Sequence, residues 1–318
     1  MLTGLLAALG AGLLWGLVFL TPLVLEDYPG LALAVGRYLA FGVLALGLAW
    51  FDQRALRRLE RADWIEAFKL ALIGNLLYYT TLASALQLAG APLPTLIIGT
   101  LPVVIAVCAN LLDQQQQASS AVAWRRLLLP LLLISGGLLI VHGDHASSFP
   151  DDNPADFASG LVLAVIALAC WTWYPIRNSR WLRARPPGLA RAWATAQGLA
   201  TLPLAAAVGL GWALIDLTWT GDTPASFAWP LGPRPALFVG LCVLLGLAAS
   251  WLGTILWNKA SQLLPAALLG QLIVFETLAA LLYAFIWYQR PPSLGEAAGM
   301  ILLVAGVSFG VRVFRLRH

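Results

Sequence analysis

Apolar residues run through this chain in blocks of about twenty, and the polar residues collect in the short stretches between them. A helix needs about 20 mainly apolar residues to cross the hydrocarbon of a bilayer. By that rule the sequence predicts ten spanning helices, at 3–24, 31–51, 65–88, 92–112, 125–142, 158–176, 189–215, 235–257, 264–288 and 294–312. Some connectors are very short, Ala89 to Ala91 among them, so neighbouring helices must lie antiparallel. The expected fold is all-α and integral to the membrane.

Composition strengthens that reading. Of 318 residues 60% are hydrophobic and only 11% carry charge, less than half the roughly 25% of soluble domains. The net charge of +4 would suggest nucleic acid in a soluble protein. Here its distribution reports orientation instead, because cytoplasmic loops collect Lys and Arg. With the N-terminus inside, the inner connectors and tail hold Arg54, Arg57, Arg58, Arg61, Arg125, Arg126, Arg177, Arg180, Arg183, Arg185, Arg191, Lys259, Arg312, Arg315 and Arg317, with Lys69 just inside a helix end. The outer connectors hold Arg234 and Arg290, and Arg37 is the one basic residue within a span. The alternation fits ten helices with both termini cytoplasmic. The stretch before Ala11 lacks a basic n-region and the apolar run continues to Leu25, so the first segment is expected to be a retained span.

The two halves read alike. LLWGLVF (13–19) parallels ACWTWYP (169–175), matching Trp15 to Trp171; ALQLAGAPLPTLIIGTLPVV (85–104) parallels ASQLLPAALLGQLIVFE (260–276); ISGGLLI (134–140) parallels VAGVSFG (304–310). Five spans per copy is odd, so the second copy enters the membrane from the opposite side. Inverted repeats of this kind occur in secondary transporters, with the substrate site near midplane between the copies. The expected units are 1–145 and 158–318, joined by an outside connector at 146–157.

Several of these motifs, in register in both halves, resemble the drug/metabolite transporter superfamily, EamA type. They are LLWG, the Arg of GRYLA (36–40), the Ala-rich end of the third span running into APLPTLIIGTLPVV, and the Gly-rich fifth and tenth spans. Within it, SWLGTILWNKA (250–260) and LLGQLIVFETLAALLY (268–283) resemble the YddG-like exporters of aromatic amino acids. DQQQQ (113–117) departs from the family pattern, where an acidic–basic pair is usual. The resemblance implies a ten-helix exporter of the bacterial cytoplasmic (inner) membrane with a central cavity and no ATPase machinery.

Catalytic motifs are absent. There is no GxxxxGK[ST] loop, no GxGxxG after a strand and no HExxH. His142, His145 and His318 fall in loops or the tail, every Asp falls in or beside a connector, and Cys108, Cys170 and Cys242 lie singly in apolar segments. No enzyme activity, cofactor or metal is expected. The expected partners are the lipid bilayer and a small-molecule substrate, an amino acid or similar metabolite, with no nucleic acid and no ATPase subunit. A monomer is compatible with the sequence.

The residues at depth are the candidates for function, since an ionisable group inside a span is expensive and must face protein or water. Glu276 stands near the centre of the ninth span, where it would bind a substrate ammonium, take up a proton, or tie helices together. Arg37 lies about two turns below the outer end of the second span. It would hold a carboxylate, close an outer gate, or snorkel to the headgroups. Asn75, Tyr78 and Tyr79, with Gln87, put a polar face on the third span. Trp15 and Trp171 are matched by the repeat. Trp173 and Tyr174 fit an interfacial aromatic belt, and Trp251, Asn258 and Gln271 are further cavity candidates. Pro102, after Gly99 and Thr100, marks a kink or hinge in the fourth span. Gly136, Gly137, Gly306 and Gly310 would allow close helix contacts. Together these residues suggest export of small amphipathic metabolites, aromatic or hydrophobic amino acids above all, by alternating access. Purines, Thr- or homoserine-like metabolites and multidrug substrates are the alternatives on the same fold, and a membrane-embedded enzyme or scaffold is the alternative outside it.

Overall fold

Where solvent offers the backbone no hydrogen bonds, each apolar run must close its own, and a helix does so within one segment. The computed structural model describes residues 1–25, 27–89, 92–115, 122–143, 154–186, 188–218, 230–287, 289 and 291–315, and its regular elements there are all helical. They are α1 (Leu2–Val24), α2 (Gly30–Leu56), α3 (Arg61–Leu70), a first π segment (Ala71–Leu77), α4 (Tyr78–Ala89), α5 (Pro92–Gly99), α6 (Leu101–Gln115), α7 (Trp124–Gly143) and α8 (Pro154–Arg183). Then follow α9 (Ala190–Thr218), α10 (Pro235–Leu245), a second π segment (Gly246–Gly253), α11 (Thr254–Leu263), α12 (Ala266–Leu272), α13 (Val274–Trp287) and α14 (Leu294–Arg315). Most of the expected outer connector, and Arg290, His145, His318 and Arg317, lie outside the described residues.

Among the described residues, seven helices are long and apolar enough to cross a membrane: Leu2–Pro22, Gly30–Leu56, Ala155–Arg183, Ala190–Ile215, Pro235–Leu263, Ala266–Trp287 and Leu294–Val313. Large apolar side chains such as Trp50, Leu139, Leu210 and Ile301 point outward from the bundle, where a bilayer makes exposure cheap.

Four predicted spans, 65–88, 92–112, 235–257 and 264–288, are not uninterrupted α-helices, the third because it passes through the second π segment. The one expected at 65–88 passes through the first π segment, where Gly74 lies directly against the Tyr174 ring. The one expected at 92–112 breaks at Thr100. A proline lacks an N–H and its ring crowds the carbonyl four residues back, so Pro102 is accommodated at least cost within a first turn. Accordingly α5 stops at Gly99 and α6 restarts at Leu101, with the Thr100 carbonyl accepting the Val103 and Val104 N–H groups at 3.0 Å each. A second break, at Ile273, separates α12 from α13 and lies three residues before Glu276. There the Glu276 N–H donates to the Ile273 carbonyl at 2.9 Å.

The helices pack in pairs drawn from the two halves of the chain: α2 with α9, α4 with α8, α6 with α12, α7 with α14, and α1 with α13 and α11. Small residues set the closest approaches. A Cβ added to Gly137 would stand 2.7 Å from the Gly299 carbonyl oxygen, and one at Gly306 would stand 2.7 Å from Ile134 Cγ1. Gly310 likewise lies directly against Gln271, whereas a Cβ added to Gly136 would meet no atom of another element within 4 Å among the described residues, so the close contact expected there is not seen.

Polar clasps join the halves at both ends of the bundle. At the end where α1 begins, Asp52 meets Arg191 at 2.6 Å and Thr195 Oγ1 at 2.8 Å, Glu66 meets Arg177 at 2.5 Å, and Asp63 accepts from Arg185 and from the Trp181 indole. The three carboxylates are only 3%, 8% and 5% exposed, while their arginines are 57%, 52% and 39% exposed. At the opposite end Asp27 pairs with Arg234, and the Arg234 hydrogen bonds hold that carboxyl below the usual carboxylate range. Tyr28 reinforces this clasp by donating to the Leu231 carbonyl at 2.9 Å and stacking on Phe238.

Candidate functional site

A cavity of about 250 Å³ lies inside the bundle, walled by α1, α2, the first π segment, α4, α8, the second π segment, α11 and α13. Its lining holds one carboxylate, Glu276, and one guanidinium, Arg37, among the aromatic rings of Trp15, Phe19, Tyr38, Tyr78, Tyr79, Trp171 and Tyr174. Polar contacts come from Asn75, Ser250 and Thr254. Asn75 and Ser250 both stand on π segments, where the widened turn is often associated with functional sites.

The aromatic wall is built by contact between rings. Trp171 lies between Tyr78, at 4.6 Å and 16°, and Tyr174, at 5.0 Å and 3°. Trp15 meets its edge at 5.5 Å, and in turn donates its indole N–H to the Ala249 carbonyl at 3.0 Å. Such pairs contribute roughly 0.5–1.5 kcal/mol each beyond buried area. The Trp171 indole N–H, buried, has no hydrogen-bond partner among the described residues.

Below the wall a buried polar chain runs toward the end that carries the three ion pairs. Tyr174 donates to Gln197 Oε1 at 2.8 Å, Gln197 Nε2 donates to Asn178 Oδ1 at 3.2 Å, and Asn178 Nδ2 donates to Asn258 Oδ1 at 2.8 Å. Asn75 joins the same helix through Thr201 Oγ1 at 3.2 Å. This chain fixes the Tyr174 ring, and through it the floor of the cavity.

Arg37 does not snorkel. It is 7% exposed, its Nε donates to Ser250 Oγ at 3.0 Å, and its Cζ lies 5.0 Å and 5.3 Å from the ring centroids of Tyr38 and Tyr79. Desolvated cation–π contacts are worth about 2 kcal/mol, enough to hold the guanidinium inward. Glu276, 8% exposed, keeps Oε2 without a hydrogen-bond partner.

Of the residues expected to line a cavity, Trp15, Arg37, Asn75, Tyr78, Tyr79, Trp171 and Glu276 fall on this one. Trp251, Gln271 and Pro102 do not. Trp251 turns its indole to Thr195 at 3.2 Å, Gln271 is fully buried against Gly310 with its amide unpaired, and Pro102 is buried in the first turn of α6. Asn258 serves the polar chain, donating to the Ala190 carbonyl at 3.1 Å. The Gln87 side chain lies outside the description. Tyr174, expected in an interfacial belt, is 2% exposed and forms the cavity floor. Tyr38, Ser250 and Thr254 went unnoticed in the sequence. Tyr38 follows Arg37 directly, and its ring beside a buried cation was the available signal.

Glu276 is brought to the cavity by close contact of α1 with α13. A Cβ on Gly12 would stand 2.6 Å from Phe275 Cβ and 2.9 Å from the Glu276 nitrogen. Gly12→Leu is therefore expected to destabilise the protein by about 1–3 kcal/mol, the usual cost of overpacking, read as a lower Tm in detergent. Gly47→Leu, where an added Cβ would meet no atom of another element within 4 Å among the described residues, is expected to leave Tm unchanged.

Known proteins share this plan. A chain of known crystal structure, 20% identical, superposes with a TM-score of 0.71 over 98% of this chain and 98% of its own length, a likeness of fold. Inner membrane protein YtfF of Escherichia coli (strain K12) is 47% identical over 313 residues, spanning 98% of this chain and 96% of that protein. The model of the EamA-like transporter family matches residues 2–141. Carrying that family match, a relative this similar along almost its whole length and seven helices fit to cross a bilayer, the chain belongs to the EamA-like transporter family of the drug/metabolite transporter superfamily and is a multi-pass protein of the inner membrane.

Proposed function

We propose that this transporter exports small amphipathic metabolites, aromatic or hydrophobic amino acids above all, by alternating access through the central cavity. The observation that carries the reading is the cavity itself: about 250 Å³, with aromatic walls and one charge of each sign. Binding sites for drug-sized ligands run to about 300–1,000 Å³, so this one suits a single small molecule. A nucleotide sugar would call for several cations at its diphosphate, and Arg37 is the one cationic side chain in the lining.

The accompanying architecture is two inverted five-helix repeats, 1–145 and 158–318, with both termini cytoplasmic. Matching interruptions support it. The π segments at Ala71–Leu77 and Gly246–Gly253 lie in the third helix of each unit, and the breaks at Thr100 and Ile273 lie in the fourth. The same-numbered pairs α2 with α9, α6 with α12 and α7 with α14 also pack together. The positive-inside rule puts the end with the three ion pairs on the cytoplasmic side. Alternating access then has two sets of clasps to open in turn, Asp52, Asp63 and Glu66 at one end and Asp27 at the other.

Counterflow in proteoliposomes tests this, with labelled Phe, Trp, Thr and a purine, with and without a pH gradient. Phe and Trp are expected to accumulate well above protein-free vesicles. Equal flux in the two would end the transport of these compounds as a function, and flux of the purine alone would move the substrate to another class.

A further inference from the structure

Taking the export reading as its base, we propose that the cavity selects zwitterions: Glu276 receives the substrate's ammonium group and Arg37 its carboxylate, with the apolar remainder lying against Tyr78 and Trp171. Arg37 and Glu276 line one cavity from different helices, α2 and α13, and no ion pair joins them. Each is more than nine-tenths buried. A buried charge without a counter-charge is costly, and here two opposite ones are kept apart across a common space. A ligand carrying both charges would neutralise both walls at once.

The atoms left open fit those roles. The Arg37 Nε is committed to Ser250, and its ring contacts with Tyr38 and Tyr79 fix the plane of the guanidinium. Its terminal amino groups make no hydrogen bond with the described residues, and a guanidinium fork matches a carboxylate. Glu276 Oε2 is buried without a donor, as an ammonium site requires. The Trp171 indole N–H, also buried and without a partner, is a further donor on the wall. An amine lacking the carboxylate would leave Arg37 uncompensated, and an acid lacking the ammonium would leave Glu276 uncompensated. Either loss forgoes a charged hydrogen bond, and the expected penalty is about tenfold or more in affinity.

The test is displacement of labelled L-phenylalanine from the purified protein in detergent, where membrane permeation plays no part. The competitors are unlabelled L-phenylalanine, phenethylamine and 3-phenylpropionate. The two singly charged compounds are expected to compete at least about tenfold more weakly than L-phenylalanine. Glu276→Gln is expected to narrow the gap for 3-phenylpropionate, and Arg37→Gln the gap for phenethylamine. Comparable competition by all three ligands on the unaltered protein would overturn the zwitterion clamp while leaving amino acid export intact, and that comparison needs no variant to fold. A narrowing for the wrong analogue in either variant would overturn the assigned roles. If labelled L-phenylalanine does not bind and proteoliposomes carry neither Phe nor Trp, the export reading fails, and the clamp with it.

Discussion

Trp171→Ala is expected to reduce counterflow to the level of protein-free vesicles and to lower stability by about 3–5 kcal/mol, the usual cost of truncating a buried Trp. The size of the effect follows from position. Trp171 stacks on Tyr78 across the two halves and on Tyr174 within its own helix, and Trp15 meets its edge. Removing the indole takes the middle ring from the wall and leaves the Tyr174 ring without its stacking partner, with its hydroxyl on Gln197 and its ring against Gly74. Trp171→Phe separates two roles. It keeps a ring in the stack but removes the indole N–H that has no partner among the described residues, so stability is expected to recover more fully than transport. Trp50→Ala is the control, because that side chain is 75% exposed on the outside of α2 and its loss is expected to change stability by less than about 0.5 kcal/mol. Thermal melting and proteoliposome counterflow on the same preparations check all three variants. Full activity in Trp171→Ala would remove the aromatic wall from the mechanism.

The parts of this protein legible in its sequence are those fixed by the bilayer. A span needs length and apolarity, and the boundaries of α1, α9 and α14 follow the apolar blocks to within a few residues. An acid or a cation at depth must face the interior, and Glu276 and Arg37 do so. The interruptions were less visible. Pro102 announced one, but the π segments coincide with close contacts to other helices, such as Gly74 against Tyr174 and Gly246 against α2, which no local pattern encodes. Tyr174 was misassigned for a related reason. Sequence gives depth along a helix, and at that depth an interfacial ring and a cavity ring look the same until the facing helix is known. Trp251, next to the cavity residue Ser250 and three residues before Thr254, erred the other way: its depth is suitable and its direction is not. The buried carboxylates Asp52, Asp63 and Glu66 were passed over because they border connectors, where charge is ordinary. Their arginines come from the other half of the chain, so the pairing appears only in three dimensions.

Those ion pairs carry the second prediction, which turns on their unequal burial. In each pair the carboxylate is nearly inaccessible and the arginine is substantially solvated: Glu66 is 8% exposed against 52% for Arg177, and Asp52 is 3% exposed against 57% for Arg191. Removing the acid frees an arginine that water can stabilise, and the expected cost is about 0–1 kcal/mol, as for surface pairs. Removing the arginine strands a buried carboxylate, and the expected cost is about 1–3 kcal/mol. Arg177→Ala and Arg191→Ala should therefore lower Tm more than Glu66→Ala and Asp52→Ala, whereas a simple count of lost bonds gives no difference for the first pair and the reverse order for the second. Asp52 is partly compensated by Thr195 Oγ1 at 2.8 Å, so the difference should be larger for the Glu66 pair. The same bonds must part if this end opens during transport. Opening can be read with Ser179→Cys, a position fully buried beside Arg183, by the rate at which an impermeant thiol reagent labels it. Native Cys170 and Cys242 are buried, and Cys108, which is only partly buried, is replaced by Ala in the labelling background. Adding Arg177→Ala is expected to raise that rate several-fold, and the paired exchange Glu66→Arg with Arg177→Glu to return it toward the starting value. If labelling does not change when the arginine is removed, these pairs hold the fold together without gating it.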